Sequence, residues 1–266
     1  MNDLVLTETV DQIAWLTMNR PQALNALDEE MKGALLQAFS QAEFDPDVRV
    51  VVLRGAGRHF QAGGDVQSFH RDLEAMTEPE LKLRFLAAIN RTKLLLTAIR
   101  RMHKPVIASV HGQAVGFGLS LAVMCDFTIA SESARFTLAY VRIGNSPDGG
   151  ASYLLPRIVG LKKAMEIAML GNRFTAREAK ELGLVNFVVP DDALAAETET
   201  LARRLASGPT RAYGNIKKLM HASMDGDWER QLQLEAECFV DNVTSADFRE
   251  GLSAVVEKRD SRFTGR

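Results

Sequence analysis

Three glycine-bearing segments carry the residues that could do chemistry. Arg58-His59-Phe60-Gln61-Ala62-Gly63-Gly64-Asp65 follows a β-branched run and precedes a segment expected to be helical. Adjacent glycines let the backbone come close to a ligand, and unpaired N–H groups at a helix entrance favour a negatively charged oxygen. His111 to Ser120, with Gly112, Gly116 and Gly118, repeats that arrangement. Two such loops could each aim one N–H at the same oxygen. A preorganised pair of this kind stabilises a developing oxyanion by roughly 3 kcal/mol per donor. No Gly-Lys-Ser/Thr follows either loop, so neither is a phosphate loop. The third segment, Gly144-Asn145-Ser146-Pro147-Asp148-Gly149-Gly150, offers one carboxylate in a turn ahead of a helix starting near Ala151. Each segment also has a plain structural reading: a glycine turn for the first two, a turn or N-cap aspartate for the third.

The elements that must position these loops follow from periodicity. Leu4 to Thr9 and Ile13 to Met18 form a hairpin across Val10-Asp11-Gln12. Met31, Ala34, Leu35, Ala38, Phe39 and Ala42 make one helical stripe behind an Asp28 N-cap, and Pro46 marks its end. Val48 to Leu53 reads as a strand covered on both faces. Thr77-Glu78-Pro79-Glu80 caps a long helix reaching about Met102, and Pro105 to Val110 is the next strand. A helix over Leu119 to Met124 leads to strands at Asp126 to Ala130 and Arg135 to Leu138. Thr175 and Glu178 cap a short helix before a strand at Val185 to Val189. From Asp191 onward the pattern is helical, broken at Gly208-Pro209 and Asp225-Gly226-Asp227 into about three helices. The division expected is a strand-helix core at 1–205 and a helical region at 206–266.

Composition excludes several classes. With 32 basic against 34 acidic residues, the net charge of -2 creates no field for a nucleic-acid backbone or an anionic membrane. Cys125 and Cys238 are too few and too far apart for a disulfide framework or a zinc site, and both read as buried thiols. His59, His70, His103, His111 and His221 show no metal-ligand spacing. Met31, Met165, Met169 and Met220 fall in helical patterns and read as core filler. The opening residues lack the basic-then-apolar order of a secretory leader, and the apolar run Leu119 to Met124 is far too short to span a bilayer. A cytoplasmic protein is the expectation.

Taken together, Asn19 to Leu27, Phe60 to Asp65, Val110 to Gly118 and Phe136 to Gly150 resemble the motifs of the crotonase (enoyl-CoA hydratase/isomerase) superfamily in order and separation. The resemblance extends through Leu155 to Gly160, Ala179 to Val185 and Phe248 to Phe263, essentially the whole chain. It implies an α/β fold with a spiral core of β-β-α units and a C-terminal helical trimerisation region. It also implies a homotrimer or dimer of trimers, an acyl-CoA thioester as substrate, and neither metal nor separate cofactor. Matched residue by residue, the backbone N–H groups of Gly64 and Phe117 form the oxyanion hole. Gln22, Ala23, Leu24 and Ala62 line the coenzyme A path, Tyr140 lies at the substrate, and Lys258 and Phe263 approach the nucleotide end.

The same resemblance exposes a departure. Hydratases of the family activate water with two glutamates, and Ser120 and Tyr140 stand at those positions here. Serine and tyrosine near their ordinary pKa values cannot replace a carboxylate pair at neutral pH. Asp148 remains, in a Pro-Asp-x-Gly-Gly turn that resembles the phenylacetate-pathway isomerase branch, where one carboxylate shifts a double bond by moving a proton. Three alternatives stay open. One is a dehalogenase of the 4-chlorobenzoyl-CoA type with Asp148 as nucleophile, although that branch has tryptophan where Tyr140 stands. The others are a hydratase with atypical residues and a non-catalytic acyl-CoA-binding protein.

Overall fold

Two strands, β1 (Val5–Val10) and β2 (Ile13–Met18), pair antiparallel across a two-residue turn. Asp11 and Gln12 both take positive φ, 50° and 67°, as the tight hairpin turn matched to strand twist requires. Val10 therefore belongs to the strand and not to the turn. The computed structural model describes residues 4–266, and the opening Met1-Asn2-Asp3, read above as unlike a leader, lies outside them.

The apolar stripe behind Asp28 becomes α1 (Glu29–Phe44), with the Asp28 carboxylate accepting from Met31 N–H at 2.8 Å. The β-branched run becomes β3 (Val50–Gly55), buried over Val50 to Leu53. Next come α2 (Val66–Ala75) and α3 (Glu78–Arg101), the latter opening where Thr77 N–H donates to Glu80 at 2.7 Å. Then follow β4 (Val106–Val110), β5 (Gln113–Val115), α4 (Phe117–Met124), β6 (Phe127–Ser131) and β7 (Arg135–Thr137). After the turn that carries Asp148 come α5 (Ala151–Val159), α6 (Leu161–Leu170), β8 (Phe174–Thr175), α7 (Ala176–Glu181) and β9 (Phe187–Val189). The chain ends in α8 (Leu194–Ala206), α9 (Thr210–Ala222), α10 (Trp228–Val243) and α11 (Ala246–Glu257).

The strands make a six-stranded sheet, ordered β1-β2-β3-β4-β6-β9, and a three-stranded sheet, β5-β7-β8. All neighbours from β2 to β9 run parallel, so the carboxyl ends of β3 and β4 sit side by side and release their glycine loops at the same edge. Openings at the carboxyl ends of parallel strands are where α/β sheets receive ligands. One face of the large sheet packs against α1, α3 and α4 through Leu35, Phe39, Leu53, Leu95 and Ile99. The other face is covered by α8 through Ile13, Val50, Ile107, Ala202 and Leu205.

Several elements differ from the sequence reading. The segment from His111 to Gly118 contains the short strand β5, which exists because Arg135 to Thr137 pairs with it, not because of any local preference. The tail breaks once more at Thr244-Ser245, where the Ser245 hydroxyl caps α11 by accepting from Phe248 N–H at 3.0 Å. Met31 is core as expected, but Met165, Met169 and Met220 are exposed and fill no core. Their helices each have a second apolar side turned away from the chain's own interior. Both cysteines are buried free thiols.

The last helices are tied to the core by charge. Lys217 on α9, itself buried, meets Asp126 at 2.7 Å and donates to Ile99 O at 2.9 Å. Arg49, at the amino end of β3, donates to Thr210 Oγ1 at 2.9 Å, to Gly208 O, and to Phe263 O at 3.2 Å.

Candidate active site

The two glycine loops are locked together by backbone. Gln61 and Ala114 form a parallel bridge, with Gln61 N–H donating to Gln113 O at 3.1 Å and Val115 N–H to Gln61 O at 3.0 Å. The Gln61 side chain, fully buried, bonds both ways to Gly63: Nε2 donates to its carbonyl and Oε1 accepts its N–H, each at 2.8 Å. Gly63 has φ +94° and Gly116 has φ 55°, conformations that glycine alone adopts without strain. A side chain on Gly116 would lie against Gly63, and one on Gly118 would strike Gln61 O at 2.2 Å.

This packing aims two donors. Phe117 is the first residue of α4, so its N–H has no acceptor within the helix. Neither that N–H nor the N–H of Gly64 has a hydrogen-bond acceptor among the described residues. Their neighbours do: Asp65 N–H bonds to Leu27 O at 3.1 Å, and Gly116 N–H to Thr137 O at 2.8 Å. The α4 amino end adds its partial positive charge at the same edge.

The first loop is held from below by residues the sequence reading did not single out for this work. Asn25, fully buried in the left-handed region at φ 57°, donates from its carboxamide to Ala56 O, His59 O and Phe60 O at 2.8–3.2 Å. Arg20 bridges Asp28 at 3.0 Å and Asp65 at 2.8 Å. Burial pushes the Asp65 carboxyl up, but the Ser68 N–H and the Arg20 guanidinium outweigh it and leave it below the usual carboxylate range. Asn25 and Arg20 lie inside the first motif, and a polar residue amid apolar ones was the available signal.

Gln22 and Leu24 are exposed, Ala23 and Ala62 half-buried, and Ala62 N–H bonds to Leu24 O at 3.1 Å. These four therefore form one surface ledge beside Gly63-Gly64. Lys258 and Phe263 do not join it. Lys258 ends α11 in a left-handed turn, and Phe263 is tied to Arg49 at the amino end of β3. The six residues of β3, roughly 20 Å at ~3.3 Å each, separate that end from the glycine loop.

Asp148 sits on the Gly149-Gly150 turn, whose φ values of 66° and 80° demand glycine. A side chain on Gly149 would meet Ser120 Cβ at 2.6 Å, which presses the turn onto α4 near Phe117. The Tyr140 hydroxyl donates to Asp148 Oδ1. Ser120, fully buried, brings its Oγ to 3.3 Å from Tyr140 Oη and 3.2 Å from Asp148 O. Burial raises the Asp148 pKa above the usual carboxylate value, while the Tyr140 hydrogen bond and the charge of Lys32 pull it partly back. Burial, and then the neighbouring Asp148 charge, raise the Tyr140 phenol. Tyr140, placed at the substrate by motif matching, directs its hydroxyl to the aspartate. Among the described residues, no cluster of three or more His, Cys, Asp or Glu could hold a metal, and no helix is long and apolar enough to cross a membrane.

A parallel-sheet core whose strand ends bring two unpartnered backbone donors near one carboxylate is an arrangement able to hold a developing oxyanion and move a proton, and similarity to known proteins identifies the family. The enoyl-CoA hydratase/isomerase family model matches residues 8–266, and the chain belongs to that family, with the crotonase fold. It is 37% identical over 266 residues to 1,2-epoxyphenylacetyl-CoA isomerase from Escherichia coli, covering 100% of both chains. It is also 37% identical to a probable enoyl-CoA hydratase from Rhodobacter capsulatus, covering 97% of each. The crystal structure of an enoyl-CoA hydratase from Polaromonas sp. JS666 superposes with a TM-score of 0.91 at 33% identity, over 98% of this chain and 99% of that one.

Proposed function

We propose that the protein is an enoyl-CoA isomerase in which Gly64 and Phe117 hold the thioester oxygen as an enolate and Asp148 moves the proton. The observation that carries this reading is the pairing of one half-buried carboxylate with two unpartnered backbone N–H groups, where Ser120 and Tyr140 supply no second carboxylate. Asp148 removes a proton from C2 of a 3-enoyl thioester, or in the reverse direction from C4 of the 2-enoyl isomer. The electron pair moves onto the thioester oxygen, where the two N–H groups stabilise it. The same carboxyl then returns the proton to the other carbon, which shifts the double bond without water or a cofactor. Burial supports this role, because it brings the carboxyl closer to the operating pH than a solvated aspartate would be.

Exposed Trp228, Phe239, Val240, Val255 and Val256 on α10 and α11 support a homotrimer or dimer of trimers. In such an assembly Lys258 and Phe263 would serve the ligand of a neighbouring subunit. The test is Asp148→Asn with a 3-enoyl-CoA substrate followed by NMR. Isomerisation is expected to fall by about a thousandfold, with thioester binding retained. An Asp148→Asn variant at the wild-type rate, or chloride release from 4-chlorobenzoyl-CoA by the wild type, would overturn the reading.

A further inference from the structure

We propose that Tyr140, backed by Ser120, is a positioning residue that ties up Oδ1 of Asp148 and leaves Oδ2 as the single oxygen that carries the proton. The inference rests on the isomerase reading and deepens it.

The two oxygens of Asp148 have unlike surroundings. Oδ1 accepts the Tyr140 hydroxyl. Oδ2 accepts nothing among the described residues, yet it is not enclosed and keeps accessible surface. A carboxylate with one oxygen bonded and one open has its plane fixed. Rotation about its Cβ–Cγ bond would break the Tyr140 contact.

Tyr140 is itself restrained. Its hydroxyl has one hydrogen, given to Asp148, so its remaining lone pairs accept. Ser120 Oγ lies 3.3 Å away, and the same Oγ reaches Asp148 O at 3.2 Å and Gly116 O at 3.3 Å. The single Ser120 hydrogen serves one acceptor at a time: donated to the phenol it holds Tyr140, with the carbonyls of Asp148 and Gly116 in reach as alternative acceptors. The buried Ser120 side chain thus lies between the residue before the Phe117 donor and the residue that carries the proton.

The hydrogen bond also survives the reaction. When Oδ2 takes a proton from the substrate, Oδ1 becomes the carbonyl oxygen of a neutral acid and still accepts from Tyr140. Its hold is strongest on the ionised form, because a hydrogen bond to a charged acceptor is worth more than one to a neutral acceptor. Two groups bear on the Asp148 charge: Tyr140, and Lys32 on α1, which is buried and paired with Glu29 at 2.8 Å. Lys32 is unchanged by the substitutions below. With one oxygen working, removal and return of the proton take place on one face of the substrate, and the oxygen that takes the proton is already placed to return it.

The experiment compares Tyr140→Phe and Ser120→Ala with wild type on a 3-enoyl-CoA deuterated at C2, measuring kcat, KM, the pH profile and the label carried to C4. For Tyr140→Phe, kcat should fall about tenfold with KM within about threefold. The acid limb of the profile should move up by about one pH unit, and less deuterium should be retained. Ser120→Ala should shift all three in the same direction by less, and it decides the question if Tyr140→Phe does not fold. Wild-type kcat, acid limb and label retention in a folded Tyr140→Phe would overturn the inference while leaving the isomerase reading intact. Full activity in Asp148→Asn would remove both.

Discussion

The Gln61 carboxamide closes a ring on Gly63, donating to its carbonyl and accepting from its N–H at 2.8 Å each. Both bonds are buried, and Gly63 immediately precedes the Gly64 donor. Gln61→Glu keeps the shape but sets a carboxylate oxygen against the Gly63 carbonyl. At pH 7 the variant should lose on the order of 2 kcal/mol of stability, read by urea unfolding. A protonated glutamic acid can donate where Nε2 did, so its folded pKa lies above the unfolded value. The gap to wild type should therefore narrow as pH falls toward 5.

Asn25→Ala removes the donor that three loop carbonyls share. Leaving buried acceptors unpaired should cost on the order of 3 kcal/mol. Because those carbonyls belong to the strand-to-loop connection below Gly64, kcat should fall as well, with binding affected less. Thermal unfolding and steady-state kinetics check the two parts separately.

Gly149→Ala combines an unfavourable φ of 66° with a clash at Ser120 Cβ. The expected stability loss is about 1–3 kcal/mol. The activity loss should exceed what partial unfolding explains, since the neighbouring residue is Asp148. Far-UV circular dichroism at the assay temperature separates the folded fraction from the rate per folded molecule.

His221 provides a pH signature away from the site. Burial, helped by the Arg100 and Lys217 charges, lowers its pKa to about 4. The unfolded chain takes up this proton near the ordinary value of 6.5 and the folded chain does not. The histidine thus costs stability progressively as pH falls from about 6.5 to about 4, and the loss levels off below that. His221→Gln should flatten this part of the stability-versus-pH curve, measured as unfolding midpoints between pH 7 and 4.

Elements governed by local spacing were legible. The Asp28 cap, the Thr77 and Thr175 capping boxes, and the β-branched strand at β3 need only neighbouring residues, and each is found within a residue or two of its expected place. The glycine loops were legible as loops able to meet an oxygen. Strand β5 was not, because three residues become a strand only when β7 pairs with them. The outward faces carrying Met165, Met169 and Met220 were misread for a related reason, since helical periodicity shows an apolar side but not what covers it.

From the sequence alone came the family, the α/β class, and the short set of residues able to act, because these depend on residue types in a fixed order. Only the tertiary structure decided how they cooperate. Gln61, Asn25 and Ser120 carry no chemistry by type, and their importance arises from contacts over 2 to 35 positions in the chain. The hydroxyl of Tyr140 on Asp148 was equally out of reach. A sequence states which groups are present, but a hydrogen bond depends on distance and direction, and those exist only once the sheet has brought its strand ends together.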